Sequence, residues 1–106
     1  MPVVTQSPWF VRNSPEIGQA YEDFSQACKE KGVLDRKTKE LLMTVLACVF
    51  RCQHCTEEYI QRALDAGATK EEITEALLIA ALEGAGTQLA WTRETYVKYL
   101  HPDAEL

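Results

Sequence analysis

Apolar residues recur through most of this chain at the three- and four-residue spacing of a helix face. Nowhere do they alternate with the period of two that a half-buried strand needs. Ile17, Ala20, Tyr21, Phe24, Ala27 and Cys28 form one stripe, and Leu41, Leu42, Val45, Leu46 and Val49 a second. Tyr59, Ile60, Ala63 and Leu64 form a third, and Ile73, Ala76, Leu77, Ala80 and Ala81 a fourth. Such a chain folds as an all-α protein. Its 106 residues allow one domain with a small core and about five helices.

Local punctuation marks where the helices start and stop. Residues 1–13 hold two prolines and no helical period, so they read as an extended N-terminal arm ahead of a helical domain over 14–106. Trp9 and Phe10 are costly to leave in water, which lays the arm on its own body or on a neighbour. Ser14-Pro15-Glu16 is a helix start, with a Ser cap, Pro in the first turn and an acid at the positive end. Gly32 stops that helix, and Asp35 can cap the next. A third helix is expected from near Cys52 to Ala66, with Gly67 as its stop. Thr69 and Glu72 have the spacing of a capping box. Leu78, Ile79 and Leu82 make residues 76–82 apolar nearly all round, and a small domain cannot cover such a helix alone. A subunit interface is expected there. Gly84-Ala85-Gly86 is expected to break or bend the helix, leaving a last one over Thr87–Leu100 that ends at His101-Pro102.

Composition excludes some classes of function. A formal net charge of −5 is wrong for non-specific nucleic-acid binding, which needs clustered Lys and Arg. No apolar run is long enough to span a bilayer. The N-terminus lacks a basic start followed by an apolar run, so no signal peptide is expected and the cytoplasm is the expected location. There, paired cysteines serve catalysis, redox sensing or metal binding more often than structural disulfides.

The chemistry is concentrated in residues 48–59, Cys-Val-Phe-Arg-Cys-Gln-His-Cys-Thr-Glu-Glu-Tyr. Cys52 and Cys55 form a C-x-x-C pair around His54. Three residues apart on a helix, they share a face and can form and break a disulfide. A helix N-terminus stabilises a thiolate, and Arg51 adds positive charge. The spacing leaves redox exchange, metal binding and plain packing all open. Zinc needs four ligands, and only one such pair is present. Cys48-x-x-x-Cys52-x-x-Cys55 also matches the cluster-binding spacing of radical S-adenosylmethionine enzymes, but these belong to a larger α/β barrel. Covalent haem attachment needs His directly after the second Cys, where Thr56 stands. Cys28 and Cys48 lie on apolar stripes and read as core. His54 is either a proton donor to a thiol or an exposed residue of the first turn. Glu58 is spaced to share the face of Cys55 or to pair with Arg62. Tyr59 shares the face of Cys55 too, as a core aromatic with a polar tip, and a phenol is a poor base near neutrality. Glu40 reads most simply as a solvated helix partner of Arg36 and Lys37. His101 suits a helix C-terminus and has no catalytic role.

Taken together, Lys39-Glu40-Leu41, Cys52-Gln53-His54-Cys55 and Ala66-Gly67-Ala68-Thr69-Lys70-Glu71-Glu72-Ile73 resemble the carboxymuconolactone decarboxylase family, in its alkylhydroperoxidase D (AhpD)-like branch. The likeness spans roughly residues 15–100. It implies a helical fold with a central hairpin carrying the dithiol, assembled as a homotrimer or homohexamer. It implies reduction of a small hydroperoxide or disulfide, recharging by an external thiol donor, and no metal, flavin or other cofactor. Carried over by position, Cys55 is the cysteine oxidised by peroxide and Cys52 its disulfide partner and exchange thiol. Glu40 belongs to a proton relay, and His54 assists. One position departs from the family pattern: the relay histidine expected four residues after the second Cys is Tyr59. The decarboxylase branch is not defined by a redox dithiol, so Cys52 and Cys55 argue against lactone decarboxylation. A non-enzymatic, oligomeric redox-sensing module and a metal-binding protein stand as the alternatives.

Overall fold

The computed structural model describes residues 7–101. Every regular element among them is a helix: α1 Trp9–Asn13, α2 Pro15–Glu30, α3 Arg36–Val49, α4 Gln53–Asp65 and α5 Lys70–Tyr99. The described residues fall into two compact units, divided between Arg36 and Lys37.

The first unit holds α1 and α2. Residues 1–6 of the expected arm lie outside the described residues, and Trp9–Asn13 is helical rather than extended. The carbonyl of Pro8 accepts N–H bonds from Val11 and Arg12 at 2.9 and 3.1 Å, so the proline starts this short helix instead of preventing it. α1 approaches α2 so closely that a Cβ on Gly18 would lie 2.6 Å from the Phe10 carbonyl oxygen. Phe10 meets Tyr21 edge to face at 5.4 Å. Ser14 is the N-cap of α2, but its side chain makes no cap bond. The expected buried face of this helix stays largely exposed, with Ile17 at 75% and Phe24 at 66%. Cys28, read as a core residue, is an exposed free thiol. Five residues of α1 are too few to cover the sixteen of α2.

The second unit holds α3, α4 and α5. Its core is the cluster Ala63, Ala68 and Ile73, with Leu41, Ile60 and Leu77 packed against it. Lys37 of α3 and Glu72 of α5 are joined by a 2.9 Å ion pair. α4 ends in a Schellman turn. The N–H of Ala68 bonds the carbonyl of Ala63 at 2.9 Å, that of Gly67 bonds Leu64 at 3.0 Å, and Gly67 sits at φ 93°. α5 then opens on the expected capping box. The Glu72 N–H donates to the Thr69 hydroxyl at 3.0 Å, and the Thr69 N–H to the Glu72 carboxylate at 2.9 Å. The Lys37 ammonium, then the Thr69 N–H, hold Glu72 below the usual carboxylate range.

The expected break at Gly84-Ala85-Gly86 does not occur, because α5 runs unbroken through it. Each glycine in a helix interior costs only about 1 kcal/mol relative to Ala, too little to stop a helix rich in Leu, Ala and Glu. From Ala81 to Leu100 every residue of the chain except Val97 is exposed, Leu82 to 72%. α3 and α5 also border an apolar groove of about 710 Å³, with Leu42, Leu46, Ile79 and Ala80 among its lining. No helix among the described residues is long and apolar enough to cross a membrane.

Candidate functional site

The turn between α3 and α4 builds the site. α3 ends in a second Schellman turn: the Cys52 N–H bonds the carbonyl of Ala47 at 3.0 Å, and the Arg51 N–H that of Cys48 at 3.1 Å. The left-handed position that ends such a turn is usually glycine. Here it is Arg51, at φ 61°, the one non-glycine with positive φ among the described residues. The next residue, Cys52, is at once the last of this turn and the N-cap of α4.

Cys52 and Cys55 are joined by a disulfide. The Cys52 sulfur accepts the Cys55 N–H at 3.1 Å, so a sulfur does what Ser or Asp does at an ordinary helix start. The Thr56 hydroxyl donates to the Cys52 carbonyl at 2.8 Å. Both cysteines are half-buried, and His54 between them is exposed. Cys48, read as core, is instead a half-buried free thiol. It borders a cleft of about 340 Å³ whose lining is completed by Arg51, Cys52, Gln53 and Thr56. A helix that ends one residue later leaves its last turn partly uncovered, which a stripe pattern does not reveal.

The other expected residues are placed more loosely. Glu40 is half-buried, and its Oε2 is buried with no hydrogen-bond partner. It is not the solvated partner of Lys37, whose ammonium is paired with Glu72. A buried carboxylate oxygen without a partner is uncommon and invites a functional reading. One turn along α3, the Thr44 hydroxyl is bonded back to the Glu40 carbonyl at 2.8 Å, and Thr44 is fully buried. Glu58 is taken up by Arg62 at 2.7 Å. The Arg62 guanidinium also lies 5.5 Å from the centre of the half-buried Tyr59 ring. No hydrogen bond joins Glu40, His54 or Tyr59 to a cysteine sulfur among the described residues. Also among these, no group of three or more His, Cys, Asp or Glu side chains is arranged to hold a metal ion. Sequence reasoning missed the left-handed Arg51 and the cleft. No sequence signal marked either, because arginine rarely takes the left-handed position that a helix stop gives to Gly.

Known proteins are similar to this chain. The model of the carboxymuconolactone decarboxylase family matches residues 15–94. A protein of Paracoccus denitrificans named "Uncharacterized protein 4 in cox locus" is 35% identical over 79 residues, which is 74% of this chain and 71% of that one. "Alkyl hydroperoxide reductase AhpD" of Corynebacterium aurimucosum is 34% identical over 55 residues, 52% of this chain but only 31% of the relative. A crystal structure of a protein from Methanobacterium thermoautotrophicum superposes with a TM-score of 0.73 at 30% identity, covering 82% of this chain and 98% of that one. With the helical hairpin, the dithiol at its turn and a family match over most of the length, the chain belongs to the carboxymuconolactone decarboxylase family, on its AhpD-like side.

Proposed function

We propose that this protein is a thiol–disulfide oxidoreductase of AhpD type that cycles the Cys52–Cys55 pair between dithiol and disulfide. The observation that carries the reading is the disulfide itself, set at a helix N-terminus with its first sulfur as the cap. After reduction, the same N–H that bonds the Cys52 sulfur favours a thiolate there. Against a disulfide, the Cys52 thiolate attacks one sulfur and expels the other half as a thiolate, which takes up a proton. The Cys55 thiolate then attacks Cys52, releases the second half and closes the protein disulfide. Against a hydroperoxide, Cys55 attacks the outer oxygen, an alcohol leaves, and the resulting sulfenic acid condenses with Cys52 to expel water. An external dithiol restores the pair in either case.

Each step moves a proton. The unpartnered Glu40 Oε2 supports Glu40 as the acceptor, because nothing else in the described structure engages it. His54, exposed between the two cysteines, serves as proton donor to the departing thiolate. Glu58 is committed to Arg62, so the reading gives Tyr59 a positioning role rather than that of a base. The exposed apolar face of α5 and the groove between α3 and α5 support assembly into a homotrimer or homohexamer. The same groove supports a second reading, an oligomeric module whose assembly follows the redox state without turnover.

Mixing the reduced protein with a small disulfide or a hydroperoxide, and following loss of its thiols, tests the proposal. Single-turnover oxidation is expected with at least one substrate, and steady turnover once a dithiol donor is added. Undiminished activity in both Cys52→Ser and Cys55→Ser would sink it. Oxidation that changes the sedimentation of the protein without turnover would favour the second reading. Tyr59→His is expected to raise peroxidase activity over disulfide exchange if the Glu40 relay operates.

A further inference from the structure

The cleft beside Cys52 carries information that the dithiol alone does not. Its five lining residues are Cys48, Arg51, Cys52, Gln53 and Thr56, which bring one cysteine of the disulfide, a free cysteine and a cation to one cleft. Arg51 is the one charged residue among them. It is exposed, and no acidic side chain pairs with it among the described residues. Cys55 is not part of the lining, so a molecule in this cleft meets Cys52. Placing Arg51 here also costs stability, since a left-handed residue with a side chain is disfavoured where glycine is not. The turn at Gly67, of the same hydrogen-bonded type, uses the residue without that cost.

From this juxtaposition we infer that the cleft is the substrate subsite for a small disulfide bearing a carboxylate, with Arg51 as its specificity-determining residue. This rests on the dithiol reading above and names the substrate class for it. The carboxylate sits on the Arg51 guanidinium, which can donate to both of its oxygens at once. That contact holds the near sulfur of the substrate against Cys52. The protein's net charge of −5 repels anions at long range, so a local cation is what admits an anionic substrate. In the reaction, the Cys52 thiolate forms a bond to that sulfur and the substrate S–S bond breaks. The departing carboxylate-bearing thiolate takes up a proton. Cys55 then displaces the second half from Cys52. One disulfide becomes two thiols as the protein dithiol becomes a disulfide, with no other oxidant or reductant.

The test compares single-turnover rates of the reduced full-length protein with dithiodipropionate, a dicarboxylate, and with hydroxyethyl disulfide, its neutral counterpart, at one physiological ionic strength. The readout is the ratio of the two rates, which cancels any general effect of Arg51 on the reactivity of Cys52. In Arg51→Gly, which suits the left-handed backbone, the ratio is expected to fall about fivefold, the scale of an exposed ion pair. Arg51→Gln is expected to fall likewise, and Arg51→Lys to recover part of the ratio. A ratio unchanged in Arg51→Gly and Arg51→Gln, with the wild type reacting normally, overturns the inference and leaves the dithiol reading standing. A wild-type protein that reacts with neither disulfide overturns this inference, and one that a hydroperoxide also fails to oxidise removes the dithiol reading with it.

Discussion

Two junctions in the second unit use one backbone device for opposite ends. After α3 and after α4 the chain closes the same Schellman turn, with bonds from Cys52 to Ala47 and from Arg51 to Cys48 in the first, and from Ala68 to Ala63 and from Gly67 to Leu64 in the second. The second junction is built for stability. Its left-handed residue is Gly67, the next residue, Ala68, belongs to the buried cluster, and Thr69 then opens α5 with a complete capping box. The first is one residue tighter and each part is different. Its left-handed residue is Arg51, the following Cys52 is only half-buried, and that same cysteine must also cap α4. The left-handed residue with a side chain stands where the Cys52 sulfur caps α4, and strained backbone of this kind is often found at functional sites.

Substitutions can break or sharpen this contrast. The largest expected effect separates the two roles of Cys52. Ser is a good N-cap, so under reducing conditions Cys52→Ser should keep stability within about 1 kcal/mol of the wild type. Its disulfide exchange should nonetheless fall to the uncatalysed background, as measured by thiol release alongside urea denaturation. Next, Gly67→Arg makes the second junction resemble the first. It should lose about 1–2 kcal/mol, the cost of a side chain in the left-handed region, read as a lower denaturation midpoint. Removing the second junction's cap with Thr69→Ala should cost about 1 kcal/mol by the same measurement. Arg51→Gly should gain about 0.5–1 kcal/mol, because relief of the left-handed strain is partly offset by the greater unfolded-state freedom of glycine.

The smallest effect concerns pH. Glu72 titrates below its ordinary value of 4.5 in the folded protein, chiefly through its bond from Lys37. The unfolded chain therefore takes up its proton first as pH falls. The stabilisation is complete above 4.5 and is lost as pH drops through the lower folded value. Urea midpoints of wild type and Glu72→Gln should differ near neutrality and converge in acid. A constant difference at all pH values would mean that the Lys37–Glu72 charge contributes nothing.

The second junction was legible in the residues because its signals are local. Gly67 and the Thr69–Glu72 spacing act within one turn of the chain, and the structure shows both in the expected role. The first junction was legible only in its cysteines. Nothing in a one-dimensional pattern marks Arg51 as left-handed, because most arginines are not. The stripe through Val45 and Val49 likewise hides that Cys48 borders an open cleft. Gly84 and Gly86 misled in the other direction: a penalty of about 1 kcal/mol each reads as a stop only if the flanking propensity is ignored. Cys28 was assigned to a core that five residues of α1 cannot provide.

The sequence by itself determined that the chain is helical, where α4 and α5 begin, and that two cysteines share the first turn of α4. These follow from periodicity, caps and spacing, all of which act over a few residues. Only the tertiary structure decided the conformation of Arg51, the cleft it shares with Cys52, the buried and unpartnered Glu40 oxygen, and the pairing of Lys37 with Glu72 rather than with Glu40. Each of these depends on how close three helices come and at what angle, which is set by packing around Ala63, Ala68 and Ile73 and not by any short run of residues.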